Sequence, residues 1–500
     1  MLTFARRLYR CIPVWAIVTI IVFPLRLFFA SLPAPGRDEA AYFYWAHHFE
    51  PAYAPLMQFI LRLFGFLPLP DLTAIRAPSI LLGIIVLFLF DRILQLRGAM
   101  RPVRFIAVLC LGLTAWQTYA GVVVHPDNYQ FVALLLFVLA VLKKQYFWSA
   151  VAAGLCVLAK PSGLIVLGVA LIFFASASFS PRQKMLYFVT ACGIALPALL
   201  SMHLEMVQAV SEYGKINAEA SLGETIIWSI TPTLFFGGPL LLFGALQGAR
   251  EQFSTGAGFK KQMEEGNVAF WLGLAFIIVF CGAAVFRGQI KENWILPGFI
   301  LLWPVSKLRI KSIYLASGLA LTLIPAFIVI ASLRFPSVSD NLAQVFSGLS
   351  RTYEIKSGAR EARYSEVNSW QSRLREFQAI DDFSERALSA WHKIDGGLPR
   401  LIISDDYGLA AQLAFSWKKS NPQIVIPGDG IFFRTTPPAT TDNLARSPLI
   451  LAVHKSPLEI WGRLQNVRII GQVRHPATNG FITLATCSRE LLPSQFARGE

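Results

Sequence analysis

Apolar stretches separated by short polar ones recur along the first two-thirds of the chain, beginning with "VWAIVTIIVF" behind a basic start. Runs of about 20 apolar residues are long enough to cross a bilayer as helices, and they predict about 11 spans. The centres fall near residues 22, 84, 112, 135, 152, 170, 193, 236, 276, 299 and 322. The first run is too long for a cleaved leader and lacks a small-x-small site, so it reads as an uncleaved helix. Past residue 333 the pattern changes. A helical stretch near "EVNSWQSRLREFQAIDDF" is followed by the strand-length runs "RLIIS", "QIVIP", "PLILAVH", "NVRIIGQV" and "GFITLAT", interleaved with the helical "YGLAAQLAFSW" and "PLEIWGRLQ". That alternation predicts a small α/β domain. The expected architecture is an α-helical polytopic membrane domain over residues 1–333 and a soluble α/β domain over 334–500.

Composition agrees with a membrane protein. Of 500 residues, 55% are hydrophobic and 15% charged, against roughly 25% charged in soluble proteins. A net charge of +15 could suggest a nucleic-acid partner, but its distribution argues against one. The basic residues gather in every second loop, in "RGAMRPVR", "KKQY", "SPRQK", "GAREQFSTGAGFKKQ" and "SKLRIK". Threaded with Arg6, Arg7 and Arg10 inside, the inner loops hold roughly 17 Lys and Arg against about 7 outside, a positive-inside bias. The N-terminus is then cytoplasmic, and an odd number of spans puts the C-terminal domain outside, in the periplasm of a bacterial inner membrane. Cys11, Cys110, Cys156, Cys192 and Cys281 lie in or beside apolar runs, leaving Cys487 in the soluble part. They read as small buried hydrophobes, not a disulfide framework.

This threading brings "GRDEAAYFYW", "VHPDNYQ", "LAKPSGL" and "RGQIKENW" to one outer face. Asp38 and Glu39 open the aromatic helix "DEAAYFYWAHHF", where they could simply complement the helix dipole. Asp127 stands at the outer start of a later span. Two acidic centres on one face suit a transferase, one taking a proton from an acceptor hydroxyl and the other orienting the acceptor or holding a metal. His125 is either a ligand, a proton carrier or an ordinary polar contact. Lys160 lies outside, against the charge bias, beside the helix breakers Pro161 and Gly163. With Arg287 and Lys291 it suits an anionic headgroup such as phosphate, although Arg287 could instead snorkel to the interface. Arg26, near the outer end of the first span, has three open readings: snorkelling, pairing or lipid contact. There is no G-x-x-x-x-G-K-[ST], no G-x-G-x-x-G after a strand and no zinc-type spacing. The energy for an outer-face reaction would therefore arrive in an activated, lipid-linked substrate. No cofactor is implied with certainty, and a divalent metal is left open.

These segments resemble the polytopic GT-C glycosyltransferases, the group of the protein O-mannosyltransferases and the lipid A aminoarabinose transferase. The resemblance rests on "RDEAAYFYWA" with Tyr53-Ala54-Pro55, "HPDNYQFVALLLFVLAV", "GLCVLAKPSGLIVL", "ENWILPGFILLWP" and "SDDYGLAAQLAFSW". It implies transfer of a sugar from a polyprenyl-phosphate monosaccharide to an outer-face acceptor, such as lipid A or another envelope glycolipid, with membrane lipids as surroundings. Under it, Asp38 matches the first-loop catalytic acid, Glu39 its companion and Asp127 the second acidic position. Lys160, Arg287 and Lys291 are candidates for the donor phosphate. Tyr42, Tyr53, His125, Asn293 and Trp294 are candidates for positioning substrate. Tyr53-Ala54-Pro55 departs from the His-Pro-Pro or Asp-x-Pro of many relatives, which leaves acceptor positioning open. A protein O-glycosyltransferase of the same fold is the alternative acceptor reading. A lipid or solute transporter is the alternative class, disfavoured because the charges gather at one face.

The threading is testable by reporter fusion. Alkaline phosphatase joined after residue 340 is expected to be active, and the same reporter placed at residue 99 inactive; the reverse pattern would invert the topology.

Overall fold

The computed structural model describes residues 12–32, 34–48, 53–176, 179–201, 237–254, 267–287, 292–303, 312–335, 337–338, 341, 352–357, 360–365, 380–394, 397–426, 449–453, 456–460, 467–474 and 481–486. The helical part begins with α1 (Val14–Ala30), which turns Val14, Val18, Val22, Arg26 and Phe29 inward. Ile20, Ile21, Phe23 and Leu27 are left outside. That four-residue spacing makes one face of the helix core and the other lipid-facing. Two short helices follow, α2 (Arg37–His48) and α3 (Pro55–Gly65). Next comes α4 (Asp71–Leu96), 26 residues, about 39 Å at 1.5 Å per residue and so longer than a bilayer core.

α5 (Arg101–Leu113) and α6 (Ala115–Ala120) are separated at Thr114, whose Oγ1 accepts the Gln117 N–H at 3.1 Å. A threonine in extended conformation that caps the next helix ends the previous one, so the expected span near 112 is a broken pair. α7 (Pro126–Leu142) is buried along almost its whole length, as expected of a helix apolar on all sides. α8 (Tyr146–Ala159), α9 (Gly163–Ser176) and α10 (Pro181–Ser201) follow through short connections. After them come α11 (Pro239–Ser254), α12 (Val268–Arg287), α13 (Glu292–Leu301) and α14 (Ser312–Arg334). The expected centre at 236 lies outside the described residues. Among the described residues, 3 helices are long and apolar enough to cross a membrane, within Asp71–Leu96, Pro181–Leu200 and Leu315–Ser332. Several other apolar helices, among them α1, α7, α8 and α9, are shorter than the runs of about 20 residues that hydropathy implied.

α4 is fixed at both ends. At the end predicted to face inward, Asp91 accepts from Arg104 at 2.7 Å and from the Trp15 N–H at 3.4 Å, joining α1, α4 and α5. The opposite end belongs to the candidate site.

Beyond α14, β1 (Thr352–Ser357) and β2 (Arg360–Ser365) form an antiparallel pair running from Thr352↔Ser365 to Ser357↔Arg360. The sequence pattern did not suggest this pair. A helix, α15 (380–391), falls at the end of the predicted helical stretch, the rest of which lies outside the described residues. Then come β3 (Leu401–Ser404), α16 (Tyr407–Ser416), β4 (Gln423–Val425), β5 (Leu449–Ala452), α17 (Pro457–Ile460), β6 (Arg468–Arg474) and β7 (Phe481–Thr486). These strands form one sheet in the order β4-β3-β5-β7-β6. β3 runs parallel to β4 and β5, while β7 is antiparallel to β5 and β6. All residues of β3 and β5 are buried, as continuous apolar runs require of strands covered on both faces.

Two large apolar clusters organise the molecule. One fills the helical bundle. The other joins Ala40, Ala41, Tyr42, Trp45 and Met57 of α2 and α3 to Phe383, Trp391, Ile402, Leu409 and Leu484 of the C-terminal unit. The core thus continues across the expected boundary at residue 333.

Trp391 is fully buried, and its Nε1–H donates to the Gly397 carbonyl at 3.0 Å. Trp391→Ala is expected to destabilise the C-terminal unit by about 3–5 kcal/mol, read as earlier thermal unfolding in detergent. An unchanged transition would mean that this cluster is not a cooperative core.

Candidate functional site

Glu39 and Arg76 lie at the root of the site, both fully buried. Arg76, on α4, donates through Nη2 to Glu39 Oε2 at 3.1 Å and through Nε to Oε1 at 3.3 Å. Its remaining donors reach the carbonyls of Leu32 at 2.7 Å, Ala34 at 2.9 Å and Ala30 at 3.2 Å. Glu39 in turn accepts the N–H of Gly36 at 3.1 Å and of Val124 at 3.2 Å. One bidentate pair therefore joins the end of α1, the start of α2, α4 and the strand-like approach to α7. The planar guanidinium fork suits this geometry, which a lysine could not reproduce. Glu39, expected as a partner in chemistry, has both oxygens taken up by protein donors.

Asp38 stands one residue earlier and is half-buried. Its Oδ1 accepts the Tyr407 hydroxyl at 2.7 Å. Tyr42 follows one turn later on α2, and its ring stacks on Tyr53 with centroids 6.3 Å apart. Ala54, which separates Tyr53 from α3, is held left-handed (φ 50, ψ 51), a strained conformation for alanine. The Gln58 side chain bonds the Tyr53 carbonyl at 2.6 Å and keeps that turn closed. Burial raises the Tyr42 phenol well above its ordinary range, with Tyr53, Asp38, Tyr407 and Asp127 adding to the effect. Tyr53 is raised too, first by burial and then by Asp127 and Asp38. Both phenols stay protonated and can donate hydrogen bonds.

Asp127 opens α7 directly across from this cluster. Its Oδ1 pairs with the Lys160 ammonium, and Oδ2 lies 3.0 Å from His125 Nδ1. The His125 ring meets Tyr42 edge-on at 6.5 Å. Lys160 is held by the turn that the sequence suggested. The Gly163 N–H bonds the Lys160 carbonyl at 2.8 Å, and the Ser162 hydroxyl donates to Gln130 on α7 at 2.9 Å. A Cβ at Gly163 would overlap the Cys156 backbone, so only glycine permits this close approach of α9 to α8.

Six expected residues thus converge from four places in the chain: Asp38, Tyr42, Tyr53, His125, Asp127 and Lys160. Lys291 lies outside the described residues, as do the side chains of Arg287, Asn293 and Trp294. Among the described residues, no group of three or more His, Cys, Asp and Glu is placed to hold a metal.

Sequence reading missed Arg76, Arg37 and Tyr407. The "DDYG" segment does form the expected capping turn, since Asp406 accepts the Leu409 N–H at 3.0 Å and Asp405 accepts the Val453 N–H at 2.8 Å. Its next residue, however, reaches across 369 positions to Asp38. No local pattern encodes such a partner.

No protein-family model and no curated protein sequence matches the chain. Among solved structures it is similar to ArnT from Cupriavidus metallidurans in the apo state, with 11% identity and a TM-score of 0.53, over 94% of this chain and 97% of that one. The fold is that of the GT-C membrane glycosyltransferases, as the resemblance implied. Weaker likenesses are an Archaeoglobus fulgidus oligosaccharyltransferase (14% identity, TM-score 0.39, 80% of this chain and 61% of that one) and the mycobacterial arabinofuranosyltransferase AftD (13%, 0.41, 95% and 40%). At those scores they add nothing to the assignment.

The Glu39–Arg76 pair makes a stability prediction. Glu39→Gln leaves a buried, uncompensated guanidinium and is expected to destabilise the protein by about 3–5 kcal/mol, whereas Glu39→Leu with Arg76→Met recovers much of that. Thermal unfolding in detergent measures both. Equal stability of Glu39→Gln and wild type would remove the pair from its structural role.

Proposed function

We propose that this chain is an integral-membrane glycosyltransferase. It would move a sugar from a polyprenyl-phosphate monosaccharide to an acceptor on the outer, periplasmic face, in the lipopolysaccharide or lipid A class or another envelope glycolipid. The main support is the convergence of Asp38, the two stacked tyrosines and the Asp127–Lys160 pair at one mouth of a fold shared with ArnT, the lipid A aminoarabinose transferase. Gathering the charges at one mouth suits group transfer there better than permeation through the bundle.

In this reading Asp38 is the general base. The acceptor hydroxyl gives its proton to the Asp38 carboxylate while its oxygen bonds to the anomeric carbon. The bond from that carbon to the phosphate oxygen breaks, and its electron pair leaves with the polyprenyl phosphate. Direct displacement inverts the anomeric configuration. Lys160 stabilises the charge that develops on the phosphate, with Arg287 and Lys291 as further donor-phosphate residues and Asn293 and Trp294 as substrate-positioning ones. Asp127 holds Lys160 and His125 in place, and Glu39 braces the loop that carries Asp38. Tyr42 and Tyr53 supply hydroxyls beside the acceptor.

The test compares wild type with Asp38→Asn, purified in lipid, using a panel of polyprenyl-phosphate sugars and an envelope glycolipid extract. Asp38→Asn is expected to lower transfer about 10²–10⁴-fold in a folded protein, and the wild-type product to carry the opposite anomeric configuration to the donor. Full activity in Asp38→Asn would move the base to Asp127. Retained configuration would rule out direct displacement. Transfer to a peptide in place of a glycolipid would favour the protein O-glycosyltransferase alternative, and no transfer from any donor would favour a transporter.

A further inference from the structure

The C-terminal unit touches the outer loop through two adjacent residue pairs. Arg37 Nη2 lies 3.1 Å from Asp406 Oδ1, and Tyr407 donates to Asp38 Oδ1 at 2.7 Å. The Arg37 guanidinium also lies over the Tyr407 ring, 4.9 Å from its centroid. A Cβ at Gly408 would collide with the Arg37 side chain, so glycine at this position is what lets the guanidinium come so close. The Gln412 amide bonds the Pro35 carbonyl at 3.0 Å, and the Ile424 N–H donates to the Tyr44 hydroxyl at 2.9 Å. Lys418 pairs with Asp71 at the start of α4. The N-terminus of α16 is thus docked onto that of α2, with the proposed base at the contact.

We propose that Tyr407 is a positioning residue for Asp38, so that the C-terminal unit completes the site by docking. This rests on the reading of Asp38 as base. A phenol O–H aimed at a carboxylate favours its charged form and fixes its orientation. The tyrosine is suited to this: burial raises its own phenol well above the ordinary range, with Asp38 adding to that and Arg37 opposing it, so it stays a donor. Among the described residues, Tyr42, Tyr53 and Tyr407 interact electrostatically with Asp38; Arg37 precedes it on α2 and pairs with Asp406, and Asp127, held by His125 and Lys160, acts on the same two tyrosines Tyr42 and Tyr53. Of these, Tyr407 makes the direct hydrogen bond given above.

The sign of the effect follows. Removing a donor to the charged form raises the carboxyl pKa, so the acid limb of activity moves to higher pH. In the full chain in lipid, Tyr407→Phe keeps the ring and its contact with Arg37 but loses the hydroxyl. Its kcat is expected to fall about tenfold to a hundredfold with acceptor KM little changed, and the acid limb to rise by about one pH unit. Infrared titration of the Asp38 carboxyl band, assigned by its loss in Asp38→Asn, gives the same shift without any turnover. Asp406→Asn, which keeps the helix cap and loosens the Arg37 bridge, is expected to lower kcat by less; because it also removes a neighbouring negative charge it does not raise the carboxyl titration, and its kcat is the readout if Tyr407→Phe does not fold.

Wild-type kcat and wild-type carboxyl titration in Tyr407→Phe would overturn the proposal. Faster turnover, or a lower acceptor KM, would overturn it in favour of a tyrosine that plugs the acceptor position. A shifted carboxyl band in a protein that transfers no sugar would uphold the Tyr407–Asp38 coupling and reject the transferase reading.

Discussion

The Arg76–Glu39 pair is the constraint around which the half of the molecule that carries the candidate site is arranged. A fully buried guanidinium needs all its donors satisfied, and here they reach one carboxylate and the carbonyls of Ala30, Leu32 and Ala34. That network ties the end of α1 and the loop behind it to α4, while the Val124 N–H draws in the approach to α7. Breaking one partner would leave an unpaired charge in a low-dielectric interior, so the arrangement tends to hold as a unit. Asp38 stands beside this brace, since its neighbour Glu39 is held by Arg76 and by the N–H groups of Gly36 and Val124.

Around that brace the site separates its two kinds of charge. Asp38 stands among phenols that burial keeps protonated, whereas Asp127 stands between a histidine and a lysine. Hydrogen-bond donors thereby surround one carboxylate, while a lysine and a histidine hold the other. Low dielectric strengthens both environments. The separation gives the two acidic residues different surroundings, although by sequence alone they look alike, each opening a helix.

The C-terminal unit takes part in this environment. Its apolar core is continuous with that of α2 and α3, and its polar contacts include the first two residues of α2, Arg37 and Asp38. Tyr44 also occupies the N–H of Ile424 on β4, the outermost strand of the sheet. One donor on this edge strand is thereby satisfied by a side chain from the helical part.

Much of this was legible in the sequence. Apolar period and turn residues located most of the described bundle helices, five of the C-terminal strands and the capping turn at Asp406, because those signals are local. Glycine and proline beside Lys160 announced a shaped turn for the same reason. What sequence could not set were the helix break at Thr114 and the partners of individual charges. The first depends on which backbone group a threonine hydroxyl finds. The second depends on contacts such as Arg76 with Glu39 or Tyr407 with Asp38, which local periodicity does not record. The sequence by itself determined which residues prefer helix, strand or the membrane, through their side chains and spacing. Only the tertiary structure decided that Glu39 braces while Asp38 faces Tyr407, because burial and neighbours from distant segments assign those roles.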